Sequence, residues 1–207
     1  ANGNILYVIN STIANNTLTG ASGIGGAGIY NGGGEVRITN STISGNTTIL
    51  NGGGIYMLNP SSLFLTNATI SNNSASNGGG IYAEAGPQVV ISKNSIIAGN
   101  TSATGGPDMA ANVNSQGYNL VGNNTGSNLI AGNPNADADF VGTGISPINP
   151  LLGPLANNGG PTRTHALLGG SPAIDKGSAV AGMTTDQRGT VRPFDFVAIP
   201  PASGGNN

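Results

Sequence analysis

The chain has 207 residues, of which 7% are charged, with six Lys and Arg against eight Asp and Glu, a net charge of −2 and no cysteine. So little positive charge leaves no basic stripe for a phosphate backbone or an anionic bilayer. The lack of thiols excludes disulfides, thiolate metal sites and cysteine nucleophiles. No apolar run reaches the length that crosses a bilayer, so neither a nucleic-acid partner nor a membrane span is expected. Thirty-six glycines would suit a flexible linker, but Ile, Val and Leu recur at regular intervals, and a regular apolar face is what disordered segments lack.

The opening ANGNILYVIN has no basic leader and reads as an incomplete first coil of a longer polypeptide. From residue 10 one phrase returns four times: NSTIANN at 10 to 16, NSTISGN at 40 to 46, NATISNN at 67 to 73 and NSIIAGN at 94 to 100, its starts 30, 27 and 27 residues apart. A second phrase runs between the copies, as GAGIYN at 26 to 31, GGGIYM at 52 to 57 and GGGIYA at 78 to 83, with Ile29, Ile55 and Ile81 spaced 26 apart. One period reads Gly-Gly-Gly, an Ile-Tyr pair, a turn at Asn59-Pro60, the strand LFLTN, a second strand NATIS and a turn at Asn72-Asn73. Three short strands per period, rich in β-branched residues and interrupted by Gly and Asn, predict one coil of a parallel β-helix and exclude helical repeats.

Stacked in register, Ile13, Ile43, Ile70 and Ile97 form one core column and Ile29, Ile55 and Ile81 another. Alternation along the strands then sends Thr12, Thr42 and Thr69, and the row Tyr30, Tyr56 and Tyr82, to the outside. Asn10, Asn40, Asn67 and Asn94 fall at a bend, and Asn46, Asn73 and Asn100 at a second one. Asn suits both, tolerating left-handed backbone and passing amide hydrogen bonds to its copy in the next coil. Eight of the asparagines sit in N-x-S/T sequons, at 10, 15, 40, 46, 67, 72, 100 and 123. The repeat already demands Asn at these places, so a structural ladder is the reading preferred over glycosylation.

The pattern degrades past residue 100. GGPD at 105 to 108 and QGYNLVGNN at 116 to 124 read as a divergent fifth coil, and from about 132 the period is gone while Pro and charged residues become frequent. The expected fold is all-β: a right-handed, single-stranded parallel β-helix, or solenoid, of about five coils over 1–131, an irregular C-terminal cap over 132–199 that covers the exposed end of the last coil, and a linker remnant at 200–207.

NSTISGN, GGGIY, GGPDMA, SQGYNLVGN, NPLLGPLANNGGPTRTHALLGGSPAIDKGSA and TTDQRGTVRP together resemble the right-handed parallel β-helix proteins of bacterial surfaces that carry a choice-of-anchor Q region. The repeat itself is similar to that of chlamydial polymorphic outer-membrane proteins. The resemblance runs from 9 to about 199, its C-terminal part being the more specific. It implies a secreted or cell-surface, adhesin-like bacterial protein and no agreed catalytic residue. RPFDFVAI departs from the usual ending of that region, Asp-Ile-Gly-Ala, which leaves the mode of anchoring open.

β-Helices also carry lyases and hydrolases, which need a calcium cluster with a basic residue or two or three carboxylates at fixed separation. Residues 1 to 104 offer only Glu35, Arg37, Glu84 and Lys93, too few and too scattered for either site. In the C-terminal part, Asp108, Asp137, Asp139, Arg163, His165, Asp175, Lys176, Asp186, Arg188, Arg192 and Asp195 remain. His165, alone between apolar neighbours, reads as a structural hydrogen-bonding group. Asp186 and Arg188, with Asp175, read as loop-pinning contacts, and Asp137 and Asp139 in NADADF as solvated turn residues in preference to a cation site, for which two loop carboxylates are weak grounds. The expectation is therefore a non-enzymatic structural or adhesive module without a cofactor. It would self-associate through its ends, head to tail, into filaments. The alternative is a carbohydrate-binding or carbohydrate-active β-helix, with Tyr30, Tyr56 and Tyr82 as a stacking platform for a glycan or other surface ligand.

Overall fold

The computed structural model describes residues 4–20, 23–192 and 194, so Asp195 and the segment 200–207 lie outside the described residues. Four parallel sheets run the length of a right-handed β-helix of four to five coils, each coil contributing one strand to each sheet. Sheet A comprises Ile5–Ile9, Gly34–Thr39, Ser61–Thr66, Val89–Lys93 and Val113–Ser115. Sheet B comprises Thr12–Ala14, Thr42–Ser44, Thr69–Ser71, Ile96–Ile97, Leu120–Val121 and Phe140–Val141. Sheet C holds Thr17–Leu18, Thr47–Thr48, Ser74–Asn77 and Thr101–Gly105, and sheet D holds Ile29–Asn31, Ile55–Met57, Ile81–Ala83 and Met109–Ala110.

Sheet C is a fourth strand per coil where the sequence predicts three. Its strands are mostly Ser, Thr, Asn and Ala, with Leu18 and Gly105 the exceptions, and carry almost no apolar periodicity. Pairing along the axis needs only backbone groups, so the chain stays extended after the Asn turn without an apolar signal. The repeat also continues past residue 131. Phe140 and Val141 pair in register with Leu120 and Val121 and add a sixth strand to sheet B.

Corresponding side chains lie over one another as the period requires. Ile13, Ile43, Ile70 and Ile97 are successive register partners, and Val121 and Val141 continue the column. Ile29, Ile55, Ile81 and Met109 form the second column, and Val36, Leu63, Val90 and Val113 a third in sheet A. Ile43, Ile55, Ile70, Ile81 and Ile97 are completely buried, each contributing about 1.5 to 3 kcal/mol by removal from water. Ile13, in the first coil, is only partly buried.

The Gly-rich phrase does two jobs. Its first glycine has left-handed backbone, as at Gly52 with φ 70, where an L side chain is strained. Its third is a contact point: a Cβ on Gly54 would lie 2.5 Å from the carbonyl oxygen of Gly80 and 3.2 Å from Nδ2 of Asn73. Two substitutions test the packing. Ile70→Ala is expected to lower unfolding stability by about 3 kcal/mol in guanidinium titration, whereas Ile145→Ala, at a 99% exposed position, is expected to change it by less than about 0.5 kcal/mol. Gly54→Ala, which adds one methyl where no space exists, should cost at least as much as Ile70→Ala.

Candidate functional site

The tyrosines of sheet D project outward and stack along the axis. Ring centroids are 5.8 Å apart for Tyr30 and Tyr56 and 5.2 Å for Tyr56 and Tyr82. Tyr30 is 43% exposed and Tyr56 only 6%, so the middle ring has spent its faces on its neighbours. Its hydroxyl donates to Oε1 of Glu84 at 2.5 Å. Burial, then this carboxylate, push the phenol well above its ordinary pKa. The row is a coil-to-coil ring ladder, and what it offers solvent is mainly its end rings and edges.

Inside the helix a second ladder runs through Asn16, Asn46, Asn73 and Asn100. Asn73 Oδ1 accepts from Asn46 N at 3.0 Å and Asn46 Nδ2 at 2.9 Å, while Asn73 Nδ2 donates to Asn100 Oδ1 at 2.9 Å and to the Ile43 carbonyl at 3.0 Å. Each amide thus links the coils on either side of it. The left-handed residue of this bend is the one before the ladder position, Asn15, Gly45, Asn72 or Gly99, and not the ladder Asn itself. The reason is burial: Asn46 and Asn73 are fully buried, and their side chains must point inward while the preceding residue turns the chain. Asn10, Asn40, Asn67 and Asn94, at the other bend, do carry positive φ of 46 to 52.

A ladder of amides needs an end that accepts without donating, and a carboxylate is such a group. Asp108 takes the place of the third glycine in the last Gly-rich phrase. Its Oδ1 accepts from Asn100 N at 3.0 Å and Nδ2 at 2.9 Å, and its Oδ2 from Asn123 N at 2.7 Å. Asp139 ends a parallel chain in the same way, accepting from Asn119 N at 2.8 Å and Nδ2 at 3.0 Å. Asp139 is fully buried, which corrects its reading as a solvated turn residue. It terminates a stack and Asp137 stays exposed. Burial, against the Asn100 and Asn123 hydrogen bonds, pushes Asp108 up to about 6, and burial raises Asp139 as well.

Of the expected cap 132–199, the first part, 132–148, covers the end of the last coil together with 122–131. Within 122–148, Asn128 exchanges two side-chain hydrogen bonds with the backbone of Val113, Ser127 bridges Ala111, and Gly132 bridges Val141. Residues beyond 150 form instead a strap that turns back along the outside of sheet B to the first coil. It begins with an antiparallel hairpin, Leu152–Ala156 against Thr164–Leu167. Its contacts follow the outer Asn column. Asn94 Nδ2 donates to the Ser178 carbonyl at 2.6 Å, Asn67 Nδ2 to Met183 Sδ at 3.2 Å and to Asn40 Oδ1 at 3.1 Å, and Asn40 Nδ2 to the Thr185 carbonyl at 3.0 Å. Thr162 Oγ1 reaches the Asn10 carbonyl at 3.3 Å and Thr12 Oγ1 the Arg163 carbonyl at 2.5 Å.

The Thr row is therefore outward yet covered, with Thr42 buried under the strap and donating to Gln187 Oε1 at 2.8 Å. Gln187, which the sequence reading passes over, is the residue by which TTDQRG grips the helix, its Nε2 lying 3.1 Å from the Ser11 carbonyl and 3.0 Å from Thr12 Oγ1. His165 is held at both nitrogens, Nδ1 by the Gly153 carbonyl at 2.7 Å and Nε2 by Ser44 Oγ at 2.8 Å.

Strap and sheet flank a half-open cavity of about 720 Å³, lined by polar groups of Thr69, His165, Asp186 and Arg192 and by apolar Ile96, Leu152 and Met183. This is within the size range of small-molecule sites. Asp186 is saturated. Its Oδ1 accepts from Arg188 N at 2.8 Å and Thr190 N at 2.9 Å, and its Oδ2 from Arg188 Nε at 2.8 Å. Burial works against its charge, but the Arg188 side chain and the two backbone donors hold it below the usual carboxylate range. Arg192 is partly buried; desolvation lowers its pKa, with Asp186 acting against that and Arg188 with it. Among the described residues no group of three His, Asp or Glu is placed to hold a metal ion, and no helix is long and apolar enough to cross a membrane.

Two measurements check these assignments. The folded pKa of Asp108 lies above its unfolded value of 3.8, so the folded chain holds this proton more strongly. The resulting stability is fully present below pH 3.8 and is lost as pH rises toward 6. Urea unfolding of wild type relative to Asp108→Asn should show wild type losing up to about 3 kcal/mol between pH 4 and 7. Tyr56→Ala, by removing the middle ring of the stack, is expected to lower stability by about 2 to 4 kcal/mol in the same assay.

Comparisons with curated proteins and with solved structures returned no match. A family described as a right handed beta helix region matches residues 1–142, the span over which the four sheets stack and at whose end Val141 closes sheet B. With more than half of its length so matched, the chain belongs to the right-handed β-helix family.

Proposed function

We propose that this chain is a structural and adhesive β-helix module of a secreted or cell-surface bacterial protein. The observation that carries the reading is the strap. Outer-column residues Asn10, Asn40, Asn67 and Asn94 come from four successive coils, and one continuous segment bonds to all of them. A stack held only by neighbour contacts opens from its ends, whereas a stack tied along its side resists peeling and shear, as a load-bearing spacer must. The resemblance of LLGPLANNGGPTRTHALL and TTDQRG to the choice-of-anchor Q region of bacterial surface proteins supports the same setting.

Self-association belongs to this reading, with one change. Head-to-tail growth needs a free edge at each end, and segment 122–148 occupies the far end. In strand Ile5–Ile9, Ile5, Leu6, Tyr7 and Ile9 are each about half exposed, an apolar surface that a second copy can cover. Pairing of two first coils about a two-fold axis is the arrangement that buries it.

Displayed on a non-adherent bacterial host, the chain is expected to raise attachment to host-cell or matrix surfaces, and attachment equal to that of the empty host would refute the adhesive role. In sedimentation velocity it should form dimers that Tyr7→Lys with Leu6→Lys returns to monomers. Longer oligomers, or dimers indifferent to those changes, would refute the pairing.

A further inference from the structure

The cavity beneath the strap contains a guanidinium, that of Arg192, to which no carboxylate is hydrogen-bonded or ion-paired among the described residues. Arg192 and Arg188 both line it, and Asp186 is the carboxylate that acts on both. Asp186 is already committed to Arg188, paired at 2.6 Å through Nη2, and to two backbone N–H groups. Among the described residues Arg192 is held through its backbone, its N donating to the Thr184 carbonyl at 2.8 Å, and its guanidinium makes no hydrogen bond or ion pair. A desolvated cation without a partner is costly, and its planar fork of donors matches a two-oxygen anion.

We propose that the space between sheet B and the strap is a binding site for a small organic carboxylate, its charged end on Arg192 and its body against Ile96, Val180 and Met183. With Arg188 paired to Asp186, Arg192 alone is left to meet an anion and fits a monoanion, and Asp175 in the same lining disfavours a second negative charge. A phosphate, with nearly two charges, would leave one of its own uncompensated in a partly desolvated space. The apolar side chains require an organic body, and Thr69 and Thr190 offer hydroxyls to one that carries its own. The site is independent of the scaffold role, since the contacts that dock the strap do not include Arg192.

The experiment is hydrogen–deuterium exchange of the wild-type chain, with calorimetry, using four probes: butyrate, D-glucuronate, glucose and inorganic phosphate. A carboxylate is expected to slow exchange across residues 173–192 and in sheet B, and to bind about tenfold or more tightly than glucose or phosphate. Preference between butyrate and glucuronate then shows whether the body is aliphatic or a sugar. Arg192→Met should weaken the binding about tenfold or more, Val180→Trp should block it by filling the space, and Arg37→Met, on the outside of sheet A, should leave it unchanged. Carboxylates that protect no part of the strap, or glucose or phosphate binding as tightly as either carboxylate, would overturn the proposal. The wild-type measurement decides the matter even if a variant does not fold.

Discussion

Every level of this β-helix depends on the level beside it, because its buried Asn side chains find their hydrogen-bond partners mainly in the neighbouring coils. The Asn16, Asn46, Asn73 and Asn100 column makes that dependence explicit. Asn46, Asn73 and Asn100 each accept two N–H groups from the coil before and donate toward the coil after, and the Ile and Val columns around them supply the apolar contact that excludes competing water. Buried polar chains of this kind are stabilising when complete and costly when interrupted, so the column fixes register as well as adding stability. The same logic fixes its terminus. Asp108 stands where the acceptor-only end is needed, and it exchanges one penalty, an unmatched donor, for a milder one, a carboxylate whose pKa is raised.

The strap applies the principle laterally. Asn40 and Asn67 each hold one donor for the strap while taking part in the outer ladder, so this column is at once a bend, a ladder and a docking rail. Gln187 and His165 fasten the strap at the first two coils, and Asn94 fastens it at the fourth. A consequence is that sheet B, the face an unadorned β-helix would expose, becomes the floor of a half-open cavity. Docking by backbone carbonyls at a few points leaves gaps between them, and the cavity that holds Arg192 is such a gap.

What the sequence reveals of this arrangement follows from periodicity. Ile29, Ile55 and Ile81 declare their column because apolar residues at a constant spacing have no other use, and Asn40, Asn67 and Asn94 declare theirs by adding a left-handed bend to that spacing. Sheet C stays hidden because Ser74–Asn77 pairs through its backbone and carries no apolar signal. The termini of the ladders stay hidden for a different reason. Asp108 lies eight residues from the Asn100 that it receives, so no repeat spacing connects them, although aligning GGPD with GGG places an Asp where three glycines stood. The strap is least legible of all. The separation of 145 positions between Thr42 and Gln187 is set by no repeat spacing, and composition marks the C-terminal region as different without showing whether it covers an end or a side.

The most direct test of the account is native-state hydrogen exchange at the backbone amides of Asn46, Asn73 and Asn100, one in each of three successive coils. Ladders and strap together predict a common opening free energy equal to that of global unfolding. Three different values, rising or falling steadily from one coil to the next, would show that the coils open one at a time and would contradict it.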